Sequence, residues 1–599
     1  MSATPQPNAR STVLRPAARS RALRLYSATV PLRLRTAIRA RLSPETRSYV
    51  ARRLTVAGPL TKVTDRLVEL PGKARYASAI RDGDHALVHS PEGVVAARVR
   101  ADLTPLSARR EVLREVMDML TEAGIPFFCV RGFHDLTSAV AVSRKHRPAV
   151  LAALTEHCRR EPGFLGQVFD RRLNPLRPGD RAAGRLAKAE TVRLVHYFTD
   201  PTGSLVVGDA AGCDIEFWRP VDGRLEAPRP NRAADVVAAD GPTVVVRESA
   251  FSRLVTDDTP GLLDYPTRPE MLGQLVDDIT FPIDVVYTWV DGSDPAWRRR
   301  RDAARGQVTD DLNDQSANES RFVSRDELRY SMRSLFNFAP WVRHIYLVTD
   351  DQVPAWLDTT SPHVTVVSHR EIFGDAGQLP TFNSHAIETR LHHIPGLSEH
   401  FLYFNDDVML GRPLVPQTFF QGNGLSKMFP SRAKVDPAQI DISADIPSTA
   451  AGKNNRRLIS DAFDRQLTFK MKHVPHALRR DVLLELEGRY PAEITATAQH
   501  QFRHPGDVSL TSSLYQYYAY LTNRAAIDNI IYMYVDLAAP DTPGLLRLAL
   551  AKRNYDVYCL NDTDSTPEEM ARQSKVLHEF LSAYYPVPAP WELPDGDAR

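Results

Sequence analysis

Four apolar segments in the second half of the chain constrain its fold most, because each one stops on polar residues. In "IDVVYTWVDGSDPAW" a β-branched and aromatic run from Ile283 to Val290 ends at Asp291 and Gly292. "HIYLVTDD" ends on Asp350 and Asp351, "VTVVSHREIF" ends near His369, and "HFLYFNDDVML" breaks on Asn405, Asp406 and Asp407. Short apolar runs bounded by turn residues read as buried strands. Between the first two lies "SRDELRYSMRSLFNFAPWV", where Leu328, Met332, Leu335 and Phe336 share one helical face. Ser324 is expected to cap that helix, with Glu327 three positions on as its reciprocal partner. Strands alternating with helices predict an α/β fold with a doubly wound, mostly parallel, Rossmann-like sheet. Ligands of such sheets bind beyond the carboxyl ends of the strands, so the four segments aim their acids at one crevice.

Adjacent carboxylates at a strand end have a chemical use. They hold a divalent cation such as Mg²⁺ that neutralises a diphosphate. An isolated Asn-Asp-Asp triplet is weak, because these residues are ordinary turn formers. Its place directly after "FLYF" gives Asp406 and Asp407 their weight.

Charge separates the chain into unlike parts. Its 599 residues, roughly three to four domains by length, carry a net charge of +2. Arg10 to Arg53 alone holds twelve arginines and one acid, Glu45, so this stretch is +11 and the rest −9. A net charge of +2 gives no support to nucleic-acid binding. In "RALRLYSATVPLRLRTAIRARL" Leu and Ile interleave with Arg, which suits a helix lying on an anionic membrane surface; a solvated tail explains the same composition. Cys129, Cys158, Cys213 and Cys559 form no CxxC pair, which argues against a zinc cluster or disulfide framework and for a reducing cytoplasm. With no signal peptide and no run of about 20 apolar residues, the expected location is cytoplasmic, with the leader as a peripheral contact to the membrane's inner face.

Residues 76–275 read as a separate α+β accessory domain. "ALVHS", "GVVAARVRADL", "IPFFCVRG", "SLVVGD", "CDIEFW" and "PTVVVRE" have strand character, and "ARREVLREVMDMLTEAG" is a helix with a glycine stop. Asp214 and Glu216, two apart on one strand, fit either a metal site of nucleotidyltransferase type or, more simply, a solvated strand face. "RRLNPLRPGDRAAGRLAKAE" reads as a loop or linker.

The segments from residue 281 onward, taken in order, resemble a known family. "IDVVYTWVDGSDP", "DELRYSMRSLFNFAPWVRHIYLVTDDQVPAWL", "LPTFNSHAIE" and "FLYFNDDVMLGRPL" are similar to the first two conserved regions of the Stealth family. "FKMKHVPHALRRDVLLELEGRYPAEITATAQHQFRHPGDVSLTSSLYQYYAYLT" resembles the third region and "VYCLND" the fourth. These are sugar-phosphate transferases of bacterial capsule synthesis, similar to the catalytic subunit of the animal lysosomal-enzyme N-acetylglucosamine-1-phosphotransferase. The resemblance covers roughly residues 281 to 565 and leaves the accessory domain without a role.

What the resemblance implies is a GT-A-like catalytic domain that moves a hexose 1-phosphate from a UDP-sugar, commonly UDP-N-acetylglucosamine, to an acceptor hydroxyl of a polysaccharide or glycan. Its nucleotide-sugar half would span 281–428 and the remainder 429–566, with a basic leader at 1–75 and a Pro-rich tail at 567–599. It implies Mg²⁺ or Mn²⁺ on Asp406 and Asp407, assisted by Asn561 and Asp562. Asp291 and Arg329 would contact nucleotide or sugar, and Asn383, His385 and Glu388 the sugar. His473, ahead of His476, would take the acceptor's proton, as a neutral imidazole can near pH 7. Arg503 offers a fork for phosphate oxygens, with His504 assisting. Two rivals stay open: an ordinary glycosyltransferase that releases UDP, and a non-catalytic polysaccharide-binding protein.

Overall fold

A computed structural model of the chain describes residues 80, 83–90, 93–169, 172–176, 186–306, 322–442, 445–562 and 567–594. The basic leader, and with it the expected membrane contact, lies outside the described residues.

The accessory domain is built on a mixed sheet. Helix α1 (Pro105–Glu122) starts at a capping box in which Thr104 and Ser107 satisfy each other's backbone N–H groups. Strand β1 (Ser138–Ser143), helix α2 (Arg147–Arg160), strands β2 (Phe164–Phe169) and β3 (Thr191–Val195), and the long β4 (Cys213–Val221) follow. β4 lies between β1, parallel to it, and β3, antiparallel. β1, β2, β3 and α2 lie outside the segments that the sequence marks as strands or helix. Asp214 and Glu216 correct the expectation of a solvated strand face: each is 1% exposed. Their carboxylates are paired with Arg193 and Arg229, so polar-apolar alternation here marks a buried ion-pair cluster.

The second half forms an α/β domain around a five-stranded sheet. β5 (Ile283–Thr288) lies at its middle, with β6 (Ile345–Thr349) and then β7 (Val364–Ser368) on one side. On the other side sits β8 (His400–Asn405), followed at the edge by β10 (His476–Arg479). The first four are mutually parallel, and β10 runs antiparallel to β8. Alternation along each strand buries both faces: Val285, Tyr287, Leu347, Leu402 and Phe404 enter one core, and Val286, Val348, Phe401 and Tyr403 the other. Both faces of the sheet are therefore covered, as in an α/β fold. Strand order reverses between β5 and β8, and a reversal of this kind opens a crevice at the strands' carboxyl ends.

Helix α3 (Glu327–Phe338) follows β5 in the chain and buries Leu328, Met332 and Leu335. Its cap differs from the expectation: the N-cap residue is Asp326, at φ 64°, with no side-chain capping bond. Beyond β8 the chain turns at Asp406 and Asp407 into β9 (Val408–Leu410). β9 pairs antiparallel with β12 (Val557–Asn561), which lies parallel to β11 (Tyr532–Asp536). This small sheet brings residues from position 532 onward beside β8. Because β10, β11 and β12 join the same cores as β5 to β8, residues 281–428 and 429–566 are one packed unit.

The segment expected as a C-terminal tail opens with helix α6 (Pro567–Tyr584); α4 (Ser384–Glu388) and α5 (Pro447–Phe463) precede it in the chain. Leu577, Phe580, Leu581 and Tyr585 are about 1% exposed or less and belong to the main core. Each such burial contributes about 1.5–3 kcal/mol, so this end of the chain is part of the domain. The two domains touch through Phe336, which packs against both cores, and Val587, which enters the accessory core.

Candidate active site

The crevice between β5 and β8 collects carboxylates. Asp406 and Asp407 occupy the turn after β8, and Glu327, 5% exposed, opens α3 beside them. Burial drives the Asp406 carboxyl well above its usual range, and the neighbouring Asp407 and Glu327 push it further. Burial likewise raises Glu327 to about 7, with Asp407 adding to the effect and Arg325 opposing it. Glu327 was read from sequence only as a capping partner; its Oε2 instead accepts the backbone N–H of Arg325 at 2.6 Å.

His473 and Cys559 complete this cluster. His473 Nε2 lies 3.3 Å from Asp407 Oδ1, and the Cys559 thiol donates to Asp407 Oδ2 at 3.3 Å. Burial alone would lower the His473 pKa, but Asp407 outweighs it and raises it. Burial, reinforced by Asp407, drives the Cys559 thiol well above its usual range, so it stays a donor S–H and not a thiolate. His476, expected as second to His473, is depressed to about 3 by burial and by the charge of His473, so it stays neutral.

Asn561 and Asp562 end β12 in the same neighbourhood. Asn561 bonds the Cys559 side chain, and Asp562 pairs with Arg325. On the opposite flank stand Glu388, 8% exposed and bonded to Thr511 Oγ1 at 2.8 Å, and Arg503, whose Nη2 donates to Ser384 Oγ at 2.7 Å. Burial lowers the Arg503 pKa against the pull of Glu388 and Asp507. Glu388 and Asp406 also act on His473, which ties the two flanks together.

The remaining sequence candidates serve the frame around this cluster. Asn383 is fully buried, caps α4, and donates to His500 O, Phe502 O and Asp507 Oδ2. His385 Nδ1 lies 3.5 Å from the same Asp507 oxygen. His504 Nδ1 accepts the N–H of Gly506 at 3.0 Å, and its ring lies against His500. Asp291 sits three residues past β5, where Oδ1 accepts the N–H of Ser293 at 2.8 Å and the backbone is held by Gln352. Arg329 donates to Glu592 at 2.6 Å and so fastens the C-terminal segment.

The carboxylate set suits a divalent cation. Asp407 Oδ1 is buried, with the 3.3 Å ion-pair contact to His473 Nε2 but no well-aligned hydrogen bond among the described residues, and three carboxyls repel one another around it. A hard cation with oxygen ligands relieves both conditions. Asp406, Asp407 and Glu327 are the residues that would hold it, with Asn561 adjacent.

Comparison with known proteins finds relatives along most of the chain. The four models of the Stealth protein conserved regions match: CR1 at 281–309, CR2 at 321–428, CR3 at 472–520 and CR4 at 549–599. An exopolysaccharide phosphotransferase of Streptomyces coelicolor is 44% identical over 97% of this chain and 99% of its own. The exopolysaccharide phosphotransferase CpsY of Mycobacterium tuberculosis is 34% identical over 83% of this chain and 90% of its own. Among solved structures, galactosyltransferase LgtC in complex with donor and acceptor sugar analogues overlaps 51% of this chain and 98% of its own, at 10% identity and a TM-score of 0.28. With all four conserved regions in order, and relatives of this identity along nearly its whole length, the chain belongs to the Stealth family.

Proposed function

We propose that the protein transfers a sugar 1-phosphate from a UDP-sugar, such as UDP-N-acetylglucosamine, to a hydroxyl of a glycan acceptor in capsule or cell-wall polysaccharide synthesis, releasing UMP. The observation that carries this reading is the meeting of Asp406, Asp407, Glu327 and His473 at the end of β8, with Arg503 joined to them through Glu388. The names of the relatives, exopolysaccharide phosphotransferases, support the same reaction class.

The roles follow from charge. A Mg²⁺ or Mn²⁺ ion on the carboxylates would neutralise the donor's diphosphate. The Arg503 guanidinium, fixed by Ser384, binds phosphoryl oxygens on the other flank. His473 takes the proton of the acceptor hydroxyl, and Asp407 orients the imidazole and stabilises the imidazolium that forms. The acceptor oxygen forms a bond to the phosphorus that carries the sugar, and the bond from that phosphorus to the bridging oxygen breaks. Its electrons leave with UMP. Phosphoryl transfer of this kind depends on positioning and charge neutralisation, which the buried walls of the crevice strengthen.

A glycosyltransferase would break the sugar C1–O bond and release UDP, and a binding protein would release nothing. Incubating the full chain with a panel of UDP-sugars, an acceptor glycan and Mg²⁺ or Mn²⁺ separates the three by the nucleotide formed. UMP supports the proposal; UDP, or no nucleotide with any member of the panel, removes it.

A further inference from the structure

The accessory domain holds a second cluster of ligand-type atoms, distant in sequence from the crevice. Glu115 on α1, His157 in the last turn of α2 and His196 just after β3 meet where these elements pack. Glu115 Oε2 lies 3.1 Å from His196 Nε2 and 3.3 Å from His157 Nε2, and the two nitrogens are 3.2 Å apart. Three donor atoms therefore form a nearly equilateral triangle. Ligands about 2.0 Å from a tetrahedral zinc ion stand about 3.3 Å from one another, and octahedral neighbours at about 2.1 Å stand about 3.0 Å apart. The measured edges match the face of a tetrahedron.

Hydrogen bonding satisfies the triangle only in part: one proton, on His157 Nε2, can serve the contact to His196 Nε2. His196 is buried, and its Nδ1 faces the carbonyl oxygen of Pro162 at 3.0 Å. A carbonyl only accepts, so Nδ1 carries the proton and, in the neutral ring, Nε2 presents a lone pair to the centre. Glu115 Oε2 also presents only lone pairs, and it is buried without a hydrogen-bond partner among the described residues. Two lone-pair atoms 3.1 Å apart repel unless a proton or a metal cation lies between them, and a metal cation relieves all three atoms at once.

The surroundings carry the matching charge. The other oxygen of Glu115 pairs with Arg98, which also holds Glu111 at 2.8 Å and Glu161 at 3.2 Å, and Arg100 holds Glu111 at 2.8 Å. Two guanidiniums thus face three carboxylates. Arg98 fixes the orientation of the Glu115 carboxyl in the way that outer partners of metal ligands do. The side chains of His157 and Glu115 are 19% and 20% exposed, so one side of the cluster opens to solvent.

We propose that Glu115, His157 and His196 bind a zinc-type divalent cation with two nitrogens and one carboxylate oxygen, leaving the fourth position to water. The ion would cross-link α1, α2 and the end of β3. This site is separate from the carboxylate cluster of the crevice, and it uses softer ligands suited to zinc rather than to magnesium.

The test uses the full chain, stripped with a chelator and dialysed against Zn²⁺ or Co²⁺. The wild-type protein should take up one more zinc than His157→Gln or Glu115→Gln. Its cobalt form should show the intense visible bands of four-coordinate Co²⁺ without a thiolate charge-transfer band, and both variants should lose them. Equal zinc content in all three proteins would overturn the proposal. So would a wild-type cobalt spectrum that lacks four-coordinate bands, or whose only such bands carry thiolate character. His157→Cys should add a thiolate charge-transfer band to the cobalt spectrum, a gain of signal that separates this triangle from the His392–His393–Glu487 and His500–His504–Asp507 groups; no such band would overturn the proposal.

Discussion

Asp507 supports a prediction whose size follows from its surroundings. Its buried carboxylate accepts Asn383 Nδ2 at 2.8 Å, His500 Nδ1 at 2.6 Å and the backbone N–H of His504 at 2.9 Å. Burial alone would raise its pKa, but His385, His500 and the His504 N–H outweigh it and hold the group at about 2. An unfolded aspartate titrates near 3.9, so the depressed value contributes about 2.5 kcal/mol of stability above that pH. The sign is fixed: this stability is present above pH 4 and disappears as pH falls through about 2. Asp507→Asn should therefore lower stability by about 2–3 kcal/mol at pH 7, since an amide offers one acceptor oxygen to donors that met two. Denaturant unfolding of both proteins across pH should show the gap nearly intact at pH 4 and reduced to about half by pH 3. The same change should weaken activity, because Asp507 fixes the turn that carries Arg503. A gap absent at pH 7, or unchanged at pH 3, would refute the argument.

Other outcomes follow from the same geometry. Asp406→Ala and Asp407→Ala should each abolish metal-dependent turnover while melting within a few degrees of the wild type; full activity in both, measured as nucleotide release, would contradict their assignment. His473→Ala should lower kcat by about 10²- to 10⁴-fold if it takes the acceptor's proton, and a smaller loss in steady-state assays would reduce it to a positioning residue. Leu581→Ala, in the helix first expected as tail, should destabilise the domain by about 2–5 kcal/mol in denaturant unfolding; no measurable loss would show that α6 does not belong to the core.

The strand ends were legible in the sequence because burial on both faces demands continuous apolar runs, and the acids stand where those runs stop. Asp406 and Asp407 follow from that rule. Cys559 had a signal that went unread: it stands two residues before Asn561 on β12, and strand residues two apart share a face. Glu327 was hidden by its resemblance to a capping residue, since a glutamate in a helix's first turn usually serves the backbone. The family resemblance sets Asn383 beside the sugar, yet a side chain that caps α4 and ties it to residues 500–507 has the same signature in sequence as one that contacts a ligand. Asp214 and Glu216 fail for a related reason: a buried strand paired with Arg193 and Arg229 has the same polar-apolar alternation as a solvated one. Their partners lie 13 to 21 residues away, beyond any local pattern.

The most direct measurement follows phosphorus. With a UDP-sugar, an acceptor glycan and Mg²⁺ or Mn²⁺, ³¹P NMR of the reaction should show one phosphorus appearing as the monoester of UMP and the other as a phosphodiester joined to the acceptor. Both phosphorus atoms leaving together as UDP, with a phosphate-free glycan product, would contradict the account.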